Sequence, residues 1–126
     1  MAKELKSTKA EANLQAALGS ESQARNKYTY YASRAKKDGF VQIANLFEET
    51  ANNEKEHAKI WFKLLHGGDI PSTAENLDDA AAGENYEWTE LYARFAKEAK
   101  EEGCDPIRYL FEQQGEIEEG QEKRHL

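Results

Sequence analysis

The chain is predicted to be all-α, a bundle of four helices, on three observations. Of its 126 residues 33% are charged and only two are proline, and long Ala/Glu/Lys/Leu-rich stretches favour helix over sheet. Apolar residues recur at three- and four-residue steps along four segments, the period of a helix with one buried face. One segment is also written twice: AALGSESQARNKYTYYASRAKKDGFVQIANLFEETANNEKEH and AAAGENYEWTELYARFAKEAKEEGCDPIRYLFEQQGEIEEGQ. Each copy opens on a small-residue turn and a glutamate (Glu21, Glu84), passes a glycine break (Gly39, Gly103), and reaches a Phe-Glu pair and an acidic patch. The length suits one domain, residues 1–126, with a single core.

Helix 1 is expected from about Thr8 to Lys37, with Leu14, Ala17, Leu18, Ala24, Tyr28, Tyr31, Ala32 and Ala35 on its inner stripe. Helix 2 follows the Asp38-Gly39 break and turns Phe40, Ile43, Ala44, Phe47, Ala51, Ala58, Trp61, Leu64 and Leu65 inward. His66-Gly67-Gly68-Asp69-Ile70-Pro71 stops it, and Ser72 with Glu75 three residues later forms a capping box for helix 3. The helix 3 stripe is Leu77, Ala80, Ala81, Trp88, Leu91 and Phe95, and Gly103 ends it. Asp105 and Pro106 read as the N-cap and first-turn proline of helix 4, where Ile107, Leu110, Phe111, Gln114, Glu118, Gln121 and His125 share one side.

The same stripes carry acids: Glu21 on helix 1, Glu54 on helix 2, Glu84 and Glu87 on helix 3, Glu118 on helix 4. An isolated buried carboxylate costs several kcal/mol or more, so inward glutamates on all four helices require cations or water. Glu54 and His57, three apart, project from one side of a helix at a spacing that one metal ion can bridge. Hard divalent or trivalent cations prefer carboxylate oxygen, and the imidazole suits iron, manganese or zinc.

Other classes are disfavoured. A formal net charge of −7 without clustered Lys/Arg argues against nucleic acid or anionic membrane as a partner. No apolar run approaches the ~20 residues of a membrane span, and the start lacks the apolar centre of a signal peptide, so a cytoplasmic location is expected. Cys104 is the one cysteine, which leaves no internal disulfide and no cysteine-ligated metal within these residues.

In ANLQAALGSESQARNKYTYYAS, FEETANNEKEHAKIWFKLL and AENLDDAAAGENYEWTELYARFAKEAKEEG the chain resembles the rubrerythrins, in particular their ferritin-like di-iron domain, over about Leu14 to Glu122. A glutamate on helices 1 and 3 with Glu-x-x-His on helices 2 and 4 is the di-iron carboxylate pattern, and Glu87 following Glu84 is a rubrerythrin trait. The resemblance implies two iron ions, with manganese or zinc as substitutes. Glu21, Glu54 and His57 would hold one iron, with Glu87 entering its shell on oxidation. Glu84 would hold the other, and Glu54 and Glu118 would bridge the pair.

The second iron's histidine is expected where this chain has Gln121, a poorer ligand. Glu122-Lys123-Arg124-His125 restores the spacing one turn on, but about 6 Å of axial rise would misplace His125 unless helix 4 slides, so whether His125 replaces the expected histidine stays open at the level of sequence. Gly115 and Gly120, each costing up to ~1 kcal/mol relative to Ala, are expected to strain or fray helix 4.

The resemblance further implies a peroxidase that reduces hydrogen peroxide to water with electrons from an external donor such as rubredoxin, an electron-transport role in oxidative stress. The paired Cys-x-x-Cys motifs of an attached rubredoxin domain are absent from these residues, and helix 4 stops short of the length of helix 2, as in a truncated chain. Glu87 is the candidate redox-linked carboxylate. Tyr28 and Tyr92, two turns from Glu21 and Glu84, are candidates to hydrogen-bond carboxylate or peroxide, with core packing as their other role. The alternatives are a non-catalytic metal-binding or iron-handling bundle with an impaired second site, and a purely structural bundle.

Ferritin-like topology runs helices 2 and 3 parallel. Helix 2 spans ~40 Å. The link from about Gly67 to Thr73 reaches only ~25 Å when extended. A homodimer that completes its bundles by swapping helices 3 and 4 is therefore expected, with an up-down-up-down monomer as its rival.

Overall fold

The computed structural model describes residues 4–126, which form two compact helical units, one up to Ile70 and the other Pro71–Leu126. The first is a hairpin of α1 (Lys9–Lys37) and α2 (Val41–Leu65). Thr8 caps α1 by accepting the Glu11 backbone N–H. Gly39, at φ +85°, makes the reversal that a side chain would strain, and the Phe40 N–H returns to the Ala35 carbonyl at 2.8 Å.

The second unit consists of α3 (Thr73–Tyr86), a wide π turn (Glu87–Leu91), α4 (Tyr92–Glu101) and α5 (Asp105–His125). Ser72 accepts the Glu75 N–H and donates to the Glu75 carboxylate, the capping box read from the sequence. The reversal repeats that of the first hairpin: Gly103 sits at φ +75° and the Cys104 N–H returns to the Ala99 carbonyl at 2.8 Å. The N-cap of α5 is Cys104, and Asp105 opens the helix beside Pro106, one place from the expectation.

The two units are built alike. Tyr28, Tyr31 and Phe47 form an aromatic triad in the first, with Tyr28 stacked on Phe47 at 6.0 Å. Tyr92, Phe95 and Phe111 form its counterpart, with Tyr92 stacked on Phe111 at 6.1 Å. Below the triads the helices approach through alanine: Ala32, Ala35, Ala44, Ala51 and Ala58 are buried in one unit, Ala81, Ala96 and Ala99 in the other. Methyl-sized side chains let two backbones come close, and Ala44 has no exposed surface at all.

The larger stripe residues behave differently from the expectation. Tyr31, Phe40, Ile43 and Leu64 in the first unit and Leu77, Ile107 and Leu110 in the second remain exposed. They are expected from the sequence to face inward, but a two-helix hairpin has only one seam to bury them in. A bundle helix buries its full stripe only against a second neighbour.

Helix α5 runs unbroken through Gly115 and Gly120, so the glycines neither fray nor break it. A Cβ at Gly120 would meet nothing within 4 Å, whereas at Gly115 it would touch Tyr92 Cβ at 3.8 Å. Gly120→Ala is therefore expected to stabilise the protein by about 0.5–1 kcal/mol, read as a rise of a few degrees in thermal midpoint.

Candidate metal centre

The first hairpin brings Glu21 from α1 against Glu54 and His57 from α2. His57 Nδ1 lies 3.0 Å from Glu21 Oε2 and 3.8 Å from Glu54 Oε1. One donor atom from each of the three lies within 4.8 Å of the others. Ligands about 2.1 Å from a common ion sit roughly 3 to 4.3 Å apart, so the group closes on a single cation with little movement. The alignment of the atoms supports that fit. Glu21 Oε2 is buried with no hydrogen-bond partner although His57 Nδ1 is so near. Two lone-pair donors that crowd each other without sharing a proton are arranged to share a cation instead. Both carboxylates are half-buried and the imidazole is 53% exposed, at the edge of the group.

The second hairpin gathers Glu84 from α3 with Glu118, Gln121 and His125 from α5. Glu118, 8% exposed, is the buried charged residue of the described chain, and its Oε1 accepts from the Gln114 amide at 2.8 Å. With its amide turned to satisfy the local network, Gln121 donates to Glu84 Oε2 at 3.0 Å and Glu118 Oε2 at 3.2 Å. His125 Nδ1 lies 2.6 Å from Glu84 Oε1. His125 thus reaches the Glu84 carboxylate in spite of its place one turn further along α5. The 6 Å rise is a backbone quantity, and Glu84 spans it by giving one oxygen to each level of α5. Glu122 turns elsewhere and accepts from Trp88 Nε1 at 2.7 Å and Asn85 Nδ2 at 3.3 Å, which splits the Glu122–His125 pair.

Glu87 occupies the first position of the π turn, whose closing bond runs from the Tyr92 N–H to the Glu87 carbonyl. Wide turns of this kind mark a residue inserted into an α-helix and are frequent at functional sites. The insertion is visible on comparing the copies: Glu21 to Tyr28 is seven residues, Glu84 to Tyr92 eight. The π turn absorbs the extra residue, so Tyr92 still reaches the triad position of Tyr28. The sequence reading, which aligned the copies by motif, treated helix 3 as one regular rod and missed this.

Burial, then the charges of Glu118 and Glu84, push the Glu87 carboxyl above the ordinary range. Burial, with Glu87 and Glu118 behind it, likewise raises Tyr92 and keeps its phenol protonated. A carboxyl that binds its proton more tightly in the fold than in the unfolded chain contributes stability below its ordinary value of 4.5. That contribution is lost as pH rises through the folded value. Metal-free Glu87→Gln protein is therefore expected to melt higher than the unmodified protein at pH 7, and thermal scans should show the gap closing by about pH 4.

Paired helical hairpins lined with inward glutamates and imidazole place the molecule in the all-α, ferritin-like class of carboxylate metalloproteins. The rubrerythrin family model matches residues 12–126. Rubrerythrin of Porphyromonas gingivalis is 50% identical over 137 aligned residues that cover 100% of this chain and 68% of that protein. Rubrerythrin of Nitratidesulfovibrio vulgaris is 47% identical, covering 98% of this chain and 71% of the relative. Nigerythrin of the same organism is 36% identical over 79% of this chain and 55% of its own. The chain belongs to the rubrerythrin family, as the sequence resemblance implied, and is a di-iron protein of that type. Among the described residues no helix is long and apolar enough to cross a membrane.

Proposed function

We propose that the protein is a cytoplasmic di-iron peroxidase that reduces hydrogen peroxide to water with electrons from an external donor such as rubredoxin. The observation that carries this reading is the Glu21/Glu54/His57 group, with its buried, unpartnered Glu21 oxygen. Glu21, Glu54 and His57 would hold one ion and Glu84 the other, with Glu54 and Glu118 shared between them and Glu87 as an additional carboxylate. Gln121 stands at the remaining ligand position that the family pattern assigns. When bound, the two iron ions supply two one-electron redox centres and a template for the peroxide oxygens. The net change consumes one hydrogen peroxide, two electrons and two protons and releases two waters.

Glu87 would supply the additional carboxylate beside these ligands, at the first position of the wide π turn. Tyr92, kept protonated, can donate a hydrogen bond from its hydroxyl to the reacting oxygen. Tyr28 has the corresponding place in the first hairpin. A homodimer completed by helix exchange would cover the apolar residues that each hairpin leaves exposed.

A specific observation favours a second reading. With its amide turned, Gln121 would donate to both Glu84 and Glu118, which would satisfy these carboxylates without a metal. A non-catalytic metal-binding or iron-handling protein would have this impaired second site. Anaerobic addition of hydrogen peroxide to the iron(II)-loaded protein distinguishes them. Oxidation of two iron(II) per peroxide within seconds is the result expected of the peroxidase, and oxidation no faster than that of free iron(II) would exclude it.

A further inference from the structure

We propose that Glu122 is a positioning residue: by accepting from Asn85 and Trp88 it sets where the residue inserted into the second copy is absorbed, and so keeps Glu87 on the side of the helix that carries Glu84. The inference rests on the peroxidase reading and adds to it a group outside the ligand set.

An inserted residue can widen a helix at any turn between two fixed points. Here those points are Glu84 and Tyr92, which hold the places of Glu21 and Tyr28 in the repeat. Glu87 lies between them. If the widening comes after Glu87, that carboxylate stands three residues from Glu84 at unbroken α spacing, on the same side. If it comes before, the extra residue turns Glu87 away by about 100°. The structure has the first arrangement. The Glu87 N–H still bonds to the Gly83 carbonyl, four residues back, whereas the Tyr92 N–H reaches five residues back to the Glu87 carbonyl.

Glu122 selects between the two. Its Oε1 accepts from Trp88 Nε1 at 2.7 Å and from Asn85 Nδ2 at 3.3 Å, one oxygen for two donors. Donors three residues apart share a side of a helix at α spacing, and an extra residue's rotation between them would take one off the side that meets α5. The two bonds therefore hold the stretch from Asn85 to Trp88 at α spacing and leave the insertion to the turn beyond. The bond from Trp88 is half-buried, where a carboxylate acceptor is worth more than in water.

The first copy supplies the contrast. It lacks the inserted residue, and α1 runs unbroken from Lys9 to Lys37. Pairing the copies through Glu54 and Glu118 sets the buried Ala58 against Glu122. The acceptor and the wide turn thus occur together in one hairpin, and the other has neither.

The experiment uses the full chain and two readouts. In metal-free, isotope-labelled protein, magnetic couplings across the hydrogen bonds report which carbonyl each backbone N–H is paired with. The unmodified protein should pair Tyr92 with Glu87. Glu122→Ala should instead pair Tyr92 with the carbonyl of residue 88, as the widening moves toward Glu84. Trp88→Phe, which keeps an aromatic ring and removes the donor, should do the same. Glu122→Gln keeps an acceptor oxygen and should keep the pairing with Glu87. In iron(II)-loaded protein, Glu122→Ala should slow oxidation by hydrogen peroxide about 10- to 100-fold. Adding Glu87→Gln to it should slow the reaction no further than Glu87→Gln does alone. Unchanged pairing of Tyr92 in either Glu122→Ala or Trp88→Phe, or losses that multiply in the double variant, would overturn the inference. An unmodified protein that oxidises iron(II) no faster than the free ion would overturn the peroxidase reading, and the pairing of Tyr92 would then decide the inference alone.

Discussion

Replacing Glu54 by alanine is expected to cost the protein its first metal and, with it, peroxide turnover. Glu54 stands 3.8 Å from His57 Nδ1, in the same group as Glu21, and is mostly shielded from solvent. Losing an outer partner of a metal ligand typically lowers affinity about 10- to 100-fold, and losing a ligand should exceed that range. The effect should also be visible without any assay of turnover. A metal that binds only the folded state stabilises it by about 4.1 kcal/mol at a thousandfold excess over its dissociation constant. Addition of iron(II) or cobalt(II) should therefore raise the melting temperature of the unmodified protein and leave that of Glu54→Ala little changed. An equal rise in both would remove Glu54 from the ligand set. The metal-free variant should be no less stable than the metal-free parent, because a half-buried carboxylate facing Glu21 has been deleted.

The second large effect concerns assembly. Light scattering at micromolar concentration is expected to report about twice the chain mass of 14.3 kDa. The residues Ile43, Leu64, Leu77 and Leu110 supply the reason, since each is a large apolar group left exposed in the chain. Leu110→Asp, at a position 62% exposed in the single chain, would be nearly neutral if that face met water. In a completed bundle it is expected to cost several kcal/mol and to shift the mass toward one chain. A stable 14.3 kDa species of the unmodified protein would rule out the exchanged dimer.

Much of this architecture was legible in the sequence because helix phase is a local property. Spacings of three and four fixed which side of each helix holds Glu21, Glu54, Glu84, Glu87 and Glu118, and all five are buried or half-buried. The caps at Thr8 and Ser72 and the reversals at Gly39 and Gly103 depend on a few neighbouring atoms and were equally readable. Two things were not. The π turn at Glu87 emerges only when the distances from glutamate to tyrosine in the two copies are compared, because a single inserted residue does not disturb the apolar pattern enough to announce itself. The contact of His125 with Glu84 depends on side-chain reach between two helices, which backbone rise alone underestimates. The inward placing of the large apolar residues was not met, because a spacing of three and four gives a helix's apolar side without saying what packs on it.

The alanine contacts between the helices of each hairpin have a consequence for how such a molecule can be made. Small side chains allow an antiparallel pair to close on itself before any larger group finds cover, so each pair holds a rigid clasp of rings and a portion of the chelating groups from the outset. A bulkier group at Ala44, which has no exposed surface, should therefore wedge the first pair apart and spread its chelating side chains with it.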